Sequence, residues 1–225
     1  MACDKEFKPL ETDIKTIEES FSARIQVTYE TFKGGSTADD MNAAMEKAMI
    51  ASVSDAPDAP KAKSLEAALK NFDEEYKSFI TDFPDSNQQW ELNIESEVIY
   101  QSEDVITVAI NTYQDKGGAH GNDSITLLNF DPDSGKVLEV GDYITNRSGF
   151  KALAEDYFFK AVKRTIESDD AEDYFFGDGF QLPNNIGFSE EGVILLYNVY
   201  EIASYAQGYT EFTIPYEEAN AFLNF

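Results

Sequence analysis

The sequence predicts an α+β fold, mainly antiparallel sheets with packed helices, arranged as two closely joined modules. Three observations point there. Some stretches alternate apolar and polar residues with period two, others repeat apolar residues at three and four, and the two kinds are interspersed without regular βαβ alternation. With 225 residues, 42% hydrophobic and 13% aromatic, the chain can bury a sizeable core without metals or disulfides.

Taken in order, residues 1–20 lack strong periodicity and carry mixed charge, as a tether would. Ala23, Ile25, Val27 and Tyr29 alternate with Ser22, Arg24, Gln26 and Thr28, so a half-buried strand is expected, ended by Gly34 and Gly35. Thr37 with Asp40 resembles a helix N-cap, and Met41, Ala44, Met45, Ala48 and Met49 then form one apolar helical face. Residues 55–60 (DAPDAP) form a turn-rich connector. Ser64 caps a second helix with Leu65, Ala68, Leu69, Phe72, Tyr76, Phe79 and Ile80 along one side, closed by Phe83-Pro84-Asp85. Residues 90–100 and 105–113 read as consecutive strands around a short turn, and 124–130 as a further strand. Ser148 opens a third helix on Phe150, Leu153, Ala154, Tyr157, Phe158, Ala161 and Val162. After a Phe/Gly/Asp loop at 174–179, strands follow near 186–188, 193–199 and 210–214, then a short helix from Pro215. The expected division is a tether at 1–20, an N-terminal α+β module at 21–115 and a C-terminal domain at 116–225.

The formal charge is −26, from 43 acidic and 17 basic residues. Phosphate binding needs a positive stripe and the sequence has no Lys/Arg cluster, so nucleic acid is excluded as a partner. A basic protein or a cation would be drawn in, faster at low salt; the acidity also serves solubility alone. No apolar run approaches the length that spans a bilayer. Membrane attachment is therefore expected only through a lipid on Cys3, the single cysteine, which is followed by a polar stretch as in a bacterial lipoprotein cut before its lipid-bearing cysteine. The chain reads as trimmed there, with Met1 as an expression start. The alternative is a chance cysteine at a natural N-terminus.

Three stretches invite chemistry. Residues 113–121 hold the only histidine, His120, among glycines that permit unusual backbone shapes. That histidine either shapes its loop or contacts a ligand; a zinc site needs further His or Cys ligands, which the sequence lacks. Asp131-Pro132-Asp133-Ser134-Gly135 faintly resembles a calcium loop, yet Lys136 stands where the sharp-turn glycine belongs, so it reads as a hairpin turn. The segment 199–216 mixes aromatics with small residues: Tyr200, Tyr205 and Tyr209 can stack on sugars, pack on a protein partner, or pack on their own sheet. Gly-x-Ser-x-Gly, His-Glu-x-x-His and phosphate-binding glycine loops are absent from the sequence. The acidic pairs Glu190-Glu191 and Glu217-Glu218 are sequence neighbours that need not converge.

Gly117-Gly118-Ala119-His120-Gly121, Phe130-Asp131 with Ser134-Gly135-Lys136, the run 200–208 (YEIASYAQG) and 212–216 (FTIPY) together resemble the ordered landmarks of the exported RsiV-like domain family. That family includes the sensor portion of lysozyme-responsive anti-sigma factors and the non-catalytic N-terminal part of certain peptidoglycan deacetylases. The resemblance covers about residues 21–225, and Ser204 departs from it where a proline is common. It implies an α+β fold, a place outside the cytoplasmic membrane, and binding rather than catalysis, the ligand in the anti-sigma factors being lysozyme. The expectation is a non-enzymatic, lipid-anchored envelope lipoprotein, periplasmic or surface-exposed, that binds a protein or glycan such as lysozyme or peptidoglycan. Gly118, His120, Gly121, Tyr200, Ser204, Tyr205 and Tyr209 are the expected ligand-binding residues. No catalytic residue, metal or cofactor is expected; the alternative is a carboxylate-dependent hydrolase acting on envelope glycans.

Overall fold

The structure, a computed structural model, describes residues 7–54, 62–165 and 170–225. Cys3 and the expected connector at 55–60 lie outside the described residues. The architecture is α+β with two mostly antiparallel sheets, one of five strands and one of three. The chain divides into two compact units, each interrupted in sequence: residues 1–98, 108–126 and 133–136 form the first, and 99–107, 127–132 and 137–225 the second. The division expected at 115/116 therefore gives way to cuts within three strands, and the glycine-histidine loop belongs to the first unit.

Strands β1 (Thr12–Thr16), β2 (Arg24–Phe32), β3 (Glu91–Gln101), β4 (Ile106–Asp115) and β5 (Asn122–Phe130) lie side by side in sequence order. β1 corrects the reading of residues 1–20 as tether throughout. It pairs antiparallel with β2 in register from Thr12↔Phe32 to Thr16↔Thr28, but four of its five side chains are exposed. A strand that buries almost none of its side chains leaves no alternation to read. β2 and β3 pair in parallel, which requires a long crossover, here α1 (Gly35–Val53) and α2 (Leu65–Asp82). The short links from β3 to β4 and from β4 to β5 permit only antiparallel pairing, and Ser102 N donates to Val105 O (2.9 Å) in the first of them.

Helix α1 buries Ala38, Met41, Met45, Met49 and Val53, the face its spacing predicts. Its cap is Gly34, at φ +108°, rather than Thr37; the Thr37 hydroxyl instead donates to Asp133 O (3.3 Å). Ser64 does cap α2, its hydroxyl accepting from Ala67 N (3.2 Å). α2 buries Leu65, Ala68, Leu69, Phe72 and Tyr76, and also Asp73. That carboxylate accepts from Ser22 N (2.6 Å) and Ala23 N (2.8 Å) and pairs with Lys77 (2.5 Å), so it fastens the start of β2 to the helix.

In the second unit β6 (Asn185–Phe188), β7 (Gly192–Tyr197) and β8 (Thr210–Pro215) form an antiparallel sheet. A short α3 (Val140–Tyr143), unforeseen in the sequence, is closed by a capping box of Glu139 and Asp142. α4 (Arg147–Thr165) begins one residue before the expected start at Ser148, and the Asn146 Oδ1 ahead of it accepts from Gly149 N (3.0 Å). Chain-terminal α5 (Tyr216–Ala219) follows Pro215 as expected. Phe158 of α4 is fully buried, with the rings of Tyr174, Phe175, Phe180, Tyr197 and Phe212 at 5.0 to 6.2 Å around it. Edge-to-face aromatic packing of this kind fixes orientation as well as burying area.

Candidate functional site

The glycine-histidine loop joins β4 to β5 and is pinned along its length. Asp115 Oδ1 accepts from Gly117 N (2.7 Å), and Gln88 Nε2 donates to Gly117 O (2.7 Å). Gly117 sits at φ +80°, which favours glycine, and a Cβ there would stand 2.4 Å from Gln88 Oε1 and push that amide aside. A Cβ on Gly121 would meet the Tyr113 ring at 2.4 Å, which places that buried glycine under the ring. Lys116 opens the loop with its ammonium 5.3 and 5.4 Å from the Phe72 and Trp90 ring centres and 3.1 Å from Glu75. His120 and Gly118 are exposed. His120 Nδ1 is 2.7 Å from Gly121 O, and a carbonyl only accepts, so Nδ1 carries the proton and Nε2 bears the lone pair of the neutral ring.

The tyrosine segment belongs to the second unit, between β7 and β8. Tyr200 is 54% exposed and holds φ +65°, a left-handed conformation costly for an aromatic residue. Its neighbour Glu201 holds the turn: one carboxylate oxygen accepts from Asn184 N (2.8 Å) and the other from Asn198 N (2.9 Å). Ile202 and Ala203 are buried beneath, so the bend cannot relax without uncovering core. The Tyr200 and Tyr205 rings lie 5.7 Å apart at 37°, and Tyr209 is 38% exposed. Exposed Ser204 heads the one-turn helix Tyr205–Gln207, its hydroxyl hydrogen-bonded to Gln207.

The two stretches thus fall in different units, Tyr200 and Tyr205 being the pair that the fold stacks together. Two further strained aromatics, Phe175 at φ +62° and Phe176 at φ +51°, sit in the loop after α4. Phe175 N donates to Ile202 O (2.6 Å), which ties that loop to the tyrosine segment, and Phe176 is 66% exposed. Neither Phe176 nor the Glu201 clamp was singled out as functional from the sequence, where nothing distinguishes them from a core aromatic and a solvated acid. Among the described residues no group of three or more His, Cys, Asp or Glu side chains could hold a metal ion, and no helix is long and apolar enough to cross a membrane. The 131–136 stretch is a turn: Phe130 and Val137 form an antiparallel bridge, and Leu138 N donates to Asn129 O (2.7 Å). Of the acidic pairs, Glu218 accepts a hydrogen bond from the Tyr157 hydroxyl, which with burial and nearby charge pushes that phenol up to about 12.

Comparison with known proteins agrees with this fold. Residues 14–123 match the family model described as Deacetylase PdaC, and residues 143–217 match the one described as Protein of unknown function, DUF3298. The crystal structure of a DUF3298 family member from Bacteroides fragilis superposes with a TM-score of 0.71 at 20% identity, covering 96% of this chain and 94% of that one. A DUF3298 family protein from Pseudomonas aeruginosa gives 0.71 at 22% identity, over 96% and 95%. A search of curated proteins finds no match.

Proposed function

We propose that this chain is a non-enzymatic protein of the bacterial cell envelope, anchored through a lipid on Cys3, that binds a basic protein such as lysozyme, or peptidoglycan, through its tyrosine segment. The observation that carries the reading is Tyr200: an aromatic ring held more than half exposed, on a left-handed backbone, by a carboxylate clamp and two buried neighbours. A fold that spends stability to present a ring gains from what the ring meets. Tyrosines suit such contacts because a flat apolar face carries a polar tip at small cost in side-chain entropy. The charge of −26 favours the basic-protein form of the ligand. The match of residues 14–123 to a model named for a deacetylase supports an envelope setting.

Calorimetry against hen lysozyme at low and moderate salt, with sedimentation alongside purified peptidoglycan, tests the reading. Binding to either ligand that weakens in Tyr200→Ala is expected; silence towards both would overturn it. For the anchor, a clickable fatty acid should label the protein made from its native gene, and Cys3→Ser should remove the label.

The deacetylase name also favours a second reading, carboxylate-dependent hydrolysis of envelope glycans. Release of acetate or reducing ends from peptidoglycan on incubation would establish it in place of the first.

A further inference from the structure

We propose that the first unit carries a separate carbohydrate-binding ledge, formed by Phe79, Phe83 and Trp90 with Gln88 and Lys116 at its rim, that takes an uncharged sugar chain. The rings form a staircase from solvent into the core. Phe83 is 58% exposed and lies 5.2 Å from Phe79 at 36°; Phe79 lies 5.4 Å from Trp90 at 32°; Trp90 is buried against Phe72 and Tyr76. Ordinary core packing accounts for Phe72 and Tyr76. It does not account for an exposed phenylalanine left at the C-terminal cap of α2, directly ahead of a loop of exposed amides.

The polar groups beside the ledge are fixed rather than loose. Tyr76 donates its hydroxyl to Gln88 O (3.3 Å), and Gln88 Nε2 donates to Gly117 O (2.7 Å), so the 84–89 loop and the β4–β5 loop are held together next to α2. Lys116 reaches over the Phe72 and Trp90 rings to Glu75. Trp90 Nε1 is buried with no hydrogen-bond partner, a deficit that a ligand oxygen would make good once Lys116, whose ammonium lies over the ring, shifted. A pyranose has what this arrangement lacks: a C–H face that lies on an aromatic ring, and hydroxyls that both donate to and accept from amides. The negative charge of the chain opposes a polyanionic sugar and the Lys116 ammonium at the rim opposes a cationic one, which leaves an uncharged one. Because this ledge lies in the first unit and the tyrosine segment in the second, the two readings stand or fall separately.

Trp90 is the sole tryptophan of the chain, so its fluorescence reports this site alone. The whole chain is titrated with chitotetraose, an uncharged N-acetylhexosamine oligomer. A saturable change in Trp90 emission with the sugar is expected. Phe83→Ala should weaken it by about tenfold, the worth of one aromatic contact, without lowering the melting temperature. Phe83→Leu, which keeps apolar volume and loses the flat face, should weaken it likewise, while Tyr200→Ala should leave it unchanged. No saturable change at millimolar sugar, or a change indifferent to both Phe83 variants, would overturn the proposal.

Discussion

Asp73 shows how one buried side chain does the work of several backbone pairings. Burial pushes its carboxyl up, yet the Lys77 hydrogen bond, the Ala23 and Ser22 amides and the Lys77 charge together pull it below the ordinary carboxylate value. A folded-state value below the unfolded one gives stability that is present above the usual carboxylate range and is lost as pH falls through the lowered folded value. Acid titration of the urea midpoint should therefore show a loss of stability below about pH 4 that Asp73→Asn lacks. Asp73→Ala, which strands the Ser22 and Ala23 amides, should cost about 2–4 kcal/mol in urea unfolding. His120 is the contrasting case. Its ring is exposed and its Nδ1–H is satisfied by the adjacent carbonyl, so His120→Ala should cost about 1 kcal/mol at most and leave binding at the tyrosine segment intact. Calorimetry and thermal melts on the same sample separate the two effects.

Among the elements, those whose side chains enter a core were legible. The Met41, Met45 and Met49 stripe of α1 and the Phe150, Ala154, Phe158 and Val162 stripe of α4 stand in the sequence at helical spacing, and both stripes are buried. β1 was not legible because nearly all of it faces solvent. Hydrogen exchange should find the amides of β1 less protected than those of β3, which lies inside the sheet. Three aromatics at positive φ escaped notice for a related reason: sequence signals left-handed backbone through glycine, and here phenylalanine and tyrosine adopt it. Also hidden was a buried polar network in the second unit. Thr107 Oγ1 donates to Asn129 Oδ1 (2.8 Å), Asn129 Nδ2 to Ile186 O (2.7 Å), and Phe188 N to Thr107 Oγ1 (3.1 Å), while Asn185 Oδ1 accepts from Leu127 N (2.9 Å). These bonds stitch β6, which hydrogen-bonds β7 along its register, to residues of β4 and β5 by side chains rather than by a ladder. Asn129→Leu should cost about 2–4 kcal/mol, since it leaves the Ile186 carbonyl and the Thr107 hydroxyl without that partner. No periodicity announces such a network, because its members are far apart in sequence.

For the molecule as a whole, the interspersed order of strand and helix was enough to give an α+β class with mainly antiparallel sheets, and the solved DUF3298 structures share that architecture. The allotment of residues to units was beyond the sequence, since β3, β4 and β5 each contribute to both and no turn or linker marks the cuts inside those strands. The landmarks at Gly117–Gly121 and Tyr200–Tyr209 are local motifs and could be read, whereas the clamp of Glu201 on Asn184 and Asn198 depends on a loop closing back on itself. The charge of −26 acts at this scale too. Long-range attraction to a cationic partner is screened over about 8 Å at physiological ionic strength, so association should slow as salt rises while dissociation changes little. The central claim is that the strained, exposed Tyr200 presents a binding surface. Its most direct test is to compare Tyr200→Gly with the unaltered chain, measuring melting temperature and affinity for lysozyme and for peptidoglycan. Glycine relieves the left-handed strain and removes the ring, so the account predicts a melting temperature unchanged or higher together with affinity lowered by at least about tenfold. A more stable variant that binds as well as the original would contradict it.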